Sequence, residues 1–282
     1  MIKIVSDSTC DLSDELVERY GVTILPLFVR LGDREYRDKI EITPDEIFEW
    51  SDREKTTPQT AAVSIEDAAE LFTKLTEDGS EVIAFCISEK MSTTGNLLRL
   101  AARETEREEL VHVVDSANLS TGVGLQVIEA AIMAREGKSS GEILKHLDEV
   151  KGRVRASFVI DTLVYLQRGG RCSSVAAFAG SVLKLHPRIV VSDGEMSANK
   201  KYRGRLDAVI MQYVKDMEQE LRAAKPDRVF ITHSGCDRST VESVRSYLES
   251  LGVFSEILET RAGGVISSHC GPGTLGVLFI AG

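Results

Sequence analysis

One rhythm constrains the fold of this chain more than any other feature. A short apolar run ends in polar groups, gives way to a helical stretch, and the pattern repeats. Residues 2–5 end in Ser6-Asp7-Ser8 and lead into a helical 11–20. Residues 82–87 run through polar groups into a helix at 96–107, and 111–114 run through Asp115-Ser116 into a helix at 122–135. Strands apolar along their whole length need cover on both faces, so the alternation predicts an α/β fold with a mainly parallel sheet flanked by helices. Ligands of such sheets bind beyond the carboxyl ends of the strands. Three of those ends carry hydroxyls: Ser6/Ser8, Ser88/Ser92 and Ser116/Ser120.

Local signals fill in the rest. The apolar stretch 22–29 is interrupted by Pro26. Thr43 before Pro44 marks a helix start, and Ser64 followed by acids marks another. Residues 140–151 form an amphipathic helix with Ile143, Leu144 and Leu147 on one face, and a new strand follows at 153–160. The second half reads as strands at 188–192 and 196–202 around Asp193-Gly194, then a helix at 205–224. A strand at 228–232 ends at His233; a helix at 238–251 and strands at 254–258 and the C-terminus complete it. Neighbouring strands joined by turns predict a mixed or antiparallel sheet here. Val265-Ile266-Ser267-Ser268-His269 reads as a strand breaking at its histidine, and Gly271-Pro272-Gly273 turns the chain into the run 275–280. His269 is therefore expected at a strand end. At 282 residues two domains are the natural division, with the boundary near 150: 1–150 and 151–282.

Composition excludes some functions. A net charge of −10 argues against nucleic acid as the main partner. The five cysteines (Cys10, Cys86, Cys172, Cys236, Cys270) are scattered without C-x-x-C spacing, which suggests free thiols rather than a zinc or redox site. Met1-Ile2-Lys3 leads directly into a strand, with no charged-then-apolar leader. No apolar run approaches the ~20 residues of a membrane helix. A cytoplasmic protein without stable membrane insertion is expected.

Chemistry-bearing residues are few. Ser92, His269 and Asp115 would make a hydrolase triad, yet no G-x-S-x-G elbow is present, and serines at strand ends usually cap helices. Asp7-Ser8-Thr9 lacks the second acid of a phosphoaspartate enzyme and reads as a strand-to-helix cap. Gly122-x-Gly124 lacks the third glycine of a dinucleotide fingerprint. His112 and His146 read as structural, and no cluster has metal-ligand spacing, so neither metal nor cofactor is expected. In Gly169-Gly170-Arg171, two glycines free the backbone before a guanidinium that can grip a carboxylate or phosphate; a helix cap followed by a surface arginine is the other reading.

Several segments in order resemble the DegV family of bacterial fatty-acid-binding proteins, across essentially the whole chain. Val5-Ser6-Asp7-Ser8-Thr9-Cys10-Asp11-Leu12 matches the family opening. Ile87-Ser88-Glu89-Lys90-Met91-Ser92-Thr93-Thr94 is similar to I-S-S-x-L-S-G-T, and Val114-Asp115-Ser116 with Ser120-Thr121-Gly122-Val123-Gly124 to V-D-S…S-x-G-x-G. Leu163-Val164-Tyr165-Leu166 with Gly169-Gly170-Arg171 matches L-x-Y-L-x-x-G-G-R, and His269-Cys270-Gly271-Pro272-Gly273 matches H-x-G-P-G. The chain departs from the family in three places. Its T-S-Q-P-S is Thr60-Ala61-Ala62-Val63-Ser64, the glycine after the key serine is Thr93, and the lysine before Pro187 is His186.

The resemblance implies a non-catalytic carrier of a long-chain fatty acid. Thr60, Ser92 and His269 would hold the carboxylate, and Arg171, Thr93 and Thr94 would support the headgroup region. Residues 1–150 would bind the lipid, its tail between helices and sheet, while 151–282 close the headgroup cleft. The family presents its ligand to a separate ATP-dependent fatty acid kinase; this sequence has neither a Walker motif nor a kinase glycine-rich loop. The other classes are a serine hydrolase of acyl esters and a lipid-sensing regulatory protein. The carrier reading is physically coherent: a buried carboxylate needs hydrogen bonds and a compensating cation, and such a neighbour favours a protonated His269. An acyl tail burying about 15 methylenes gains roughly 12 kcal/mol before the costs of association.

Overall fold

The computed structural model describes residues 1–172 and 185–282. The chain begins with β1 (Ile2–Asp7), a 3-10 turn (Ser8–Cys10), α1 (Asp14–Tyr20), β2 (Val22–Leu25), β3 (Phe28–Leu31) and β4 (Arg34–Arg37). Next come α2 (Pro44–Glu54), β5 (Gln59–Ala61), α3 (Ile65–Thr76), β6 (Glu81–Cys86) and α4 (Thr94–Glu104). β7 (Val111–Asp115), α5 (Thr121–Arg135) and α6 (Ser140–Lys151) follow. The second half holds β8 (Val154–Val159), α7 (Val164–Gly169), β9 (Leu185–Ser192), β10 (Glu195–Arg203), α8 (Leu206–Asp216) and α9 (Glu218–Arg222). It closes with β11 (Ala224–His233), α10 (Arg238–Leu251), β12 (Glu256–Arg261), α11 (Gly264–Cys270) and β13 (Leu275–Ala281).

Three sheets result among the described residues. The order β2-β1-β6-β7 is parallel throughout, as the strand–helix rhythm predicts. The order β10-β9-β8-β13-β11-β12 is mixed, parallel only at β11–β12. A small antiparallel sheet, β4-β3-β5, comes from the run split at Pro26, which has no N–H for a ladder. Val22–Leu25 stays beside β1, while Phe28–Leu31 leaves to pair with Thr60 and its neighbours.

The helix α5 joins the large sheets. Every residue from Thr121 to Ala131 is buried. It packs on β1 and β6 on one side and on β8 and β13 on the other. A helix apolar all round is one that is enclosed all round. Val123, Leu125, Val127 and Ile128 each gain about 1.5–3 kcal/mol from full burial. Its approach is set by Gly124, where a Cβ would stand 2.9 Å from the carbonyl oxygen of Cys10. Thus Gly124 of Gly122-x-Gly124 serves helix packing, while Gly122 leaves room for the Asn118 side chain.

One expected element is different. Residues expected to form a strand before His269 form the helix α11 instead. Asp11 Oδ1 accepts from the N–H of Gly263 (2.8 Å), and Asp38 Oδ1 from that of Gly264 (2.7 Å). Ser268 Oγ donates back to the Gly264 carbonyl (2.7 Å), a bond made along a helix. The caps come from 252 and 226 residues away, so a short apolar run carries no local sign of them. His269 accordingly sits in the last turn of a helix.

Candidate ligand-binding site

The element ends converge on one cavity of about 460 Å³, within the usual span of small-molecule sites. Thr60 reaches it from β5, Ser92 and Thr93 from the start of α4, Arg171 from beyond α7, and His269 from α11. Thr94 stands behind Ser92, fully buried, its Oγ1 2.9 Å from Ser92 Oγ. Leu27, Met91, Leu119, Met196, Ile266 and Cys270 supply apolar wall. The wall therefore draws on both halves of the chain, not only on residues 1–150. A second, narrow cavity of about 20 Å³ shares Leu119, Ile266 and Cys270 with the first and reaches Phe158 and Leu278.

His269 is the focal group. Its Nε2 lies 2.9 Å from Thr60 Oγ1, while its Nδ1 is sealed from solvent and has no hydrogen-bond partner among the described residues. Burial, and secondarily the charge of Arg171, pull its pKa down to about 4. The imidazole is thus neutral at neutral pH. Gly169 explains how the ring fits: a Cβ there would lie 2.3 Å from Nδ1. Gly170, at φ +67°, caps α7 in the left-handed region. Arg171 is exposed, and its Nη1 donates to the Gly169 carbonyl at 2.6 Å. The helix-cap reading of Gly169-Gly170-Arg171 holds, and the cap places Arg171 in the cavity wall.

Other polar groups have structural occupations. Ser88 Oγ donates to the Gly194 carbonyl at 2.7 Å, docking the β9–β10 turn beside the cavity; Ser120 Oγ donates to Asp11 at 2.6 Å. The hydrolase triad is not assembled. Ser92 Oγ pairs with Thr94, Nε2 of His269 with Thr60, and Asp115 Oδ1 accepts from the N–H groups of Glu89 and Ala117. His112 and His146 pair with Glu81 (2.9 Å) and Glu129 (3.1 Å). Among the described residues there is no group that could hold a metal ion and no helix long and apolar enough to cross a membrane.

A family model described as uncharacterised protein, DegV family, matches residues 1–282. The chain belongs to the DegV family. A DegV domain-containing protein of Clostridium perfringens is 31% identical over 281 residues, covering 99% of this chain and 98% of its own. Among solved structures, a fatty-acid-binding DegV protein of Thermus thermophilus superposes with a TM-score of 0.91 at 35% identity, covering 99% of both chains. A stearic-acid-binding protein of Eubacterium ventriosum gives 0.87 at 29%, covering 100% of this chain and 98% of its own. A Thermotoga maritima protein described as having fatty acid binding function gives 0.83 at 28%, covering 99% of both.

Within this DegV chain the departures from the family pattern have definite places. Thr60, Ala61 and Ala62 all line the cavity, so this wall presents one hydroxyl and two small apolar residues. Ser64 turns away to cap α3, its Oγ accepting from Asp67 N at 3.2 Å. His186 is buried, its ring nitrogens 3.3 and 3.2 Å from the carbonyls of Ile160 and Gly204. Met196, on the β9–β10 hairpin, went unnoticed in the sequence, because only the docking of Gly194 onto Ser88 brings it to the cavity. Asp38 gave no signal at all.

Proposed function

We propose that this chain is a long-chain fatty-acid carrier whose ligand carboxylate binds at Thr60, Ser92 and His269, with Arg171, Thr93 and Thr94 supporting the headgroup. The observation that carries this reading is the convergence of the Thr60 and Ser92 hydroxyls and the His269 imidazole on one cavity of about 460 Å³, with His269 Nε2 2.9 Å from Thr60 Oγ1. An arriving carboxylate needs hydrogen bonds in place of its water, and the two hydroxyls and the Nε2 side of the imidazole can supply them. The same carboxylate draws a proton onto the imidazole and offsets its burial. Thr60 and Ser92 donate to the carboxylate oxygens, and Arg171 adds positive charge at the rim. The tail follows Met91, Leu119, Met196 and Ile266 toward Phe158 and Leu278.

The solved DegV relatives that bind fatty acids support this ligand class. Residues 1–150 supply Thr60, Ser92, Met91 and Leu119, while residues 151–282 close the headgroup cleft with Arg171 and His269 and add Met196, Ile266, Phe158 and Leu278 to the tail wall. The bound carboxylate is presented in the cytoplasm to a separate ATP-dependent fatty acid kinase; the chain itself performs no chemistry. Calorimetric titration of delipidated protein with palmitate tests the carrier reading. One site per chain is expected, and no heat above dilution would refute it. Addition of a fatty acid kinase and ATP should then convert the bound acid to acyl phosphate, and an unchanged acid would remove the presenting role.

A further inference from the structure

The helix that carries His269 is held at its other end by groups from the opposite half of the chain. Gly263 donates to Asp11 Oδ1 (2.8 Å) and Gly264 to Asp38 Oδ1 (2.7 Å). The second oxygen of each carboxylate is also engaged: Ser120 Oγ donates to Asp11 Oδ2 (2.6 Å), and Ser8 Oγ to Asp38 Oδ2 (2.8 Å). Ser8 Oγ in turn accepts from Leu27 N (3.1 Å), and Leu27 is itself a wall of the cavity. Both carboxylates are fully buried. At about 1.5 Å per residue, seven-residue α11 is roughly 10 Å long and moves as one body. Its N-terminal anchor therefore sets the position of its last turn. Along its length it places Val265, Ile266, His269 and Cys270 in the cavity wall.

We infer that Asp11 and Asp38 are positioning residues of the ligand pocket: by holding the first peptide groups of α11 they fix where His269 and the α11 wall stand. Keeping two ionisable groups in this place is unfavourable by itself. Burial raises Asp11 to about 7, against the opposing pull of Lys39, Ser120 and Gly263, and raises Asp38 as well. A neutral cap would hold a helix end at less cost, whereas carboxylates can each accept from two donors at once and so tie α11 to the first half of the chain. Asparagine at Asp11 retains an acceptor for Gly263 and can donate to Ser120, so it should preserve the position; alanine removes both bonds.

The affinity arm rests on the fatty-acid reading, and two further readouts on ligand-free protein do not. In Asp11→Ala, amide exchange of residues 263–270 should accelerate at least tenfold, with the rest of the fold unchanged, and the His269 ring resonances should shift. Palmitate affinity should fall at least tenfold, while Asp11→Asn stays within about threefold of wild type in all three. Wild-type exchange and wild-type His269 resonances in Asp11→Ala would overturn the inference, as would exchange accelerated evenly over the whole protein or no rescue by Asp11→Asn. If Asp11→Ala does not fold, Asp38→Ala serves, since it removes the acceptor of Gly264: locally faster exchange at Gly264 with shifted His269 resonances supports the inference, and no change overturns it. Wild type that binds no palmitate refutes the carrier reading alone, because exchange and resonances still judge the anchor.

Discussion

The two ends of α11 are both buried and polar, yet they are built on opposite terms. At the start, the four carboxylate oxygens of Asp11 and Asp38 all accept hydrogen bonds, from Gly263, Gly264, Ser8 and Ser120. At the finish, His269 has one nitrogen on Thr60 and one with no partner among the described residues. Both ends hold strongly shifted groups, with Asp11 raised to about 7 and His269 lowered to about 4. A perturbed pKa alone thus fails to separate structure from function. Satisfaction differs between them: the first network is closed within the fold, and the second leaves one imidazole nitrogen unpaired among the described residues.

Substitutions can break that contrast, and the largest effect belongs to the closed end. Asp38→Ala strands the Gly264 N–H and the Ser8 hydroxyl, at about 1–3 kcal/mol each, offset in part by relief of a buried charge. We expect a net loss of about 2–4 kcal/mol, read from urea unfolding. At the open end, His269→Ala should leave stability within about 1 kcal/mol but weaken palmitate binding by about 1.5–3 kcal/mol, the usual worth of a charge-assisted bond. Equal stability losses at both ends would erase the distinction.

Gly169→Ala sharpens it on a smaller scale. The new methyl would press on Nδ1 and turn the ring from its place. Affinity should drop by about 1 kcal/mol, the scale of an off-rotamer side chain, in parallel with a shift of the His269 ring signals. The smallest effect is in protons. His269 has a folded value near 4, below its ordinary 6.5, so the folded state binds fewer protons between those limits. Its contribution to stability is complete above pH 6.5 and is lost as pH falls toward 4. The pH slope of unfolding should therefore differ between wild type and His269→Gln in that window. Binding a carboxylate reverses the shift, so titration at pH 6 in buffers of different ionisation enthalpy should show uptake of a fraction of a proton.

Much of this was legible in the sequence, for local reasons. The parallel sheet follows from apolar runs alternating with helices, and α2 starts where Thr43 and Pro44 place it, with Glu46 completing the capping box. Of the proposed site residues, Ser92, Arg171 and His269 carried local signals, a strand-end hydroxyl, a guanidinium after two glycines and a histidine beside Gly-Pro-Gly, whereas Thr60 was legible only through family resemblance. The helix α11 was misread because Val265 and Ile266 suit a strand and its caps lie more than 200 residues upstream. The role of Gly169 was hidden for a similar reason: it is contact with a histidine 100 residues later that excludes a side chain there.

The most direct test of the central claim is the carbon-13 signal of palmitate labelled at its carboxyl, bound to delipidated protein. A single bound resonance that stays in the ionised range down to pH 5 and moves in both His269→Gln and Thr60→Val is the expected result. A bound resonance indifferent to both substitutions, or none at all, would contradict it.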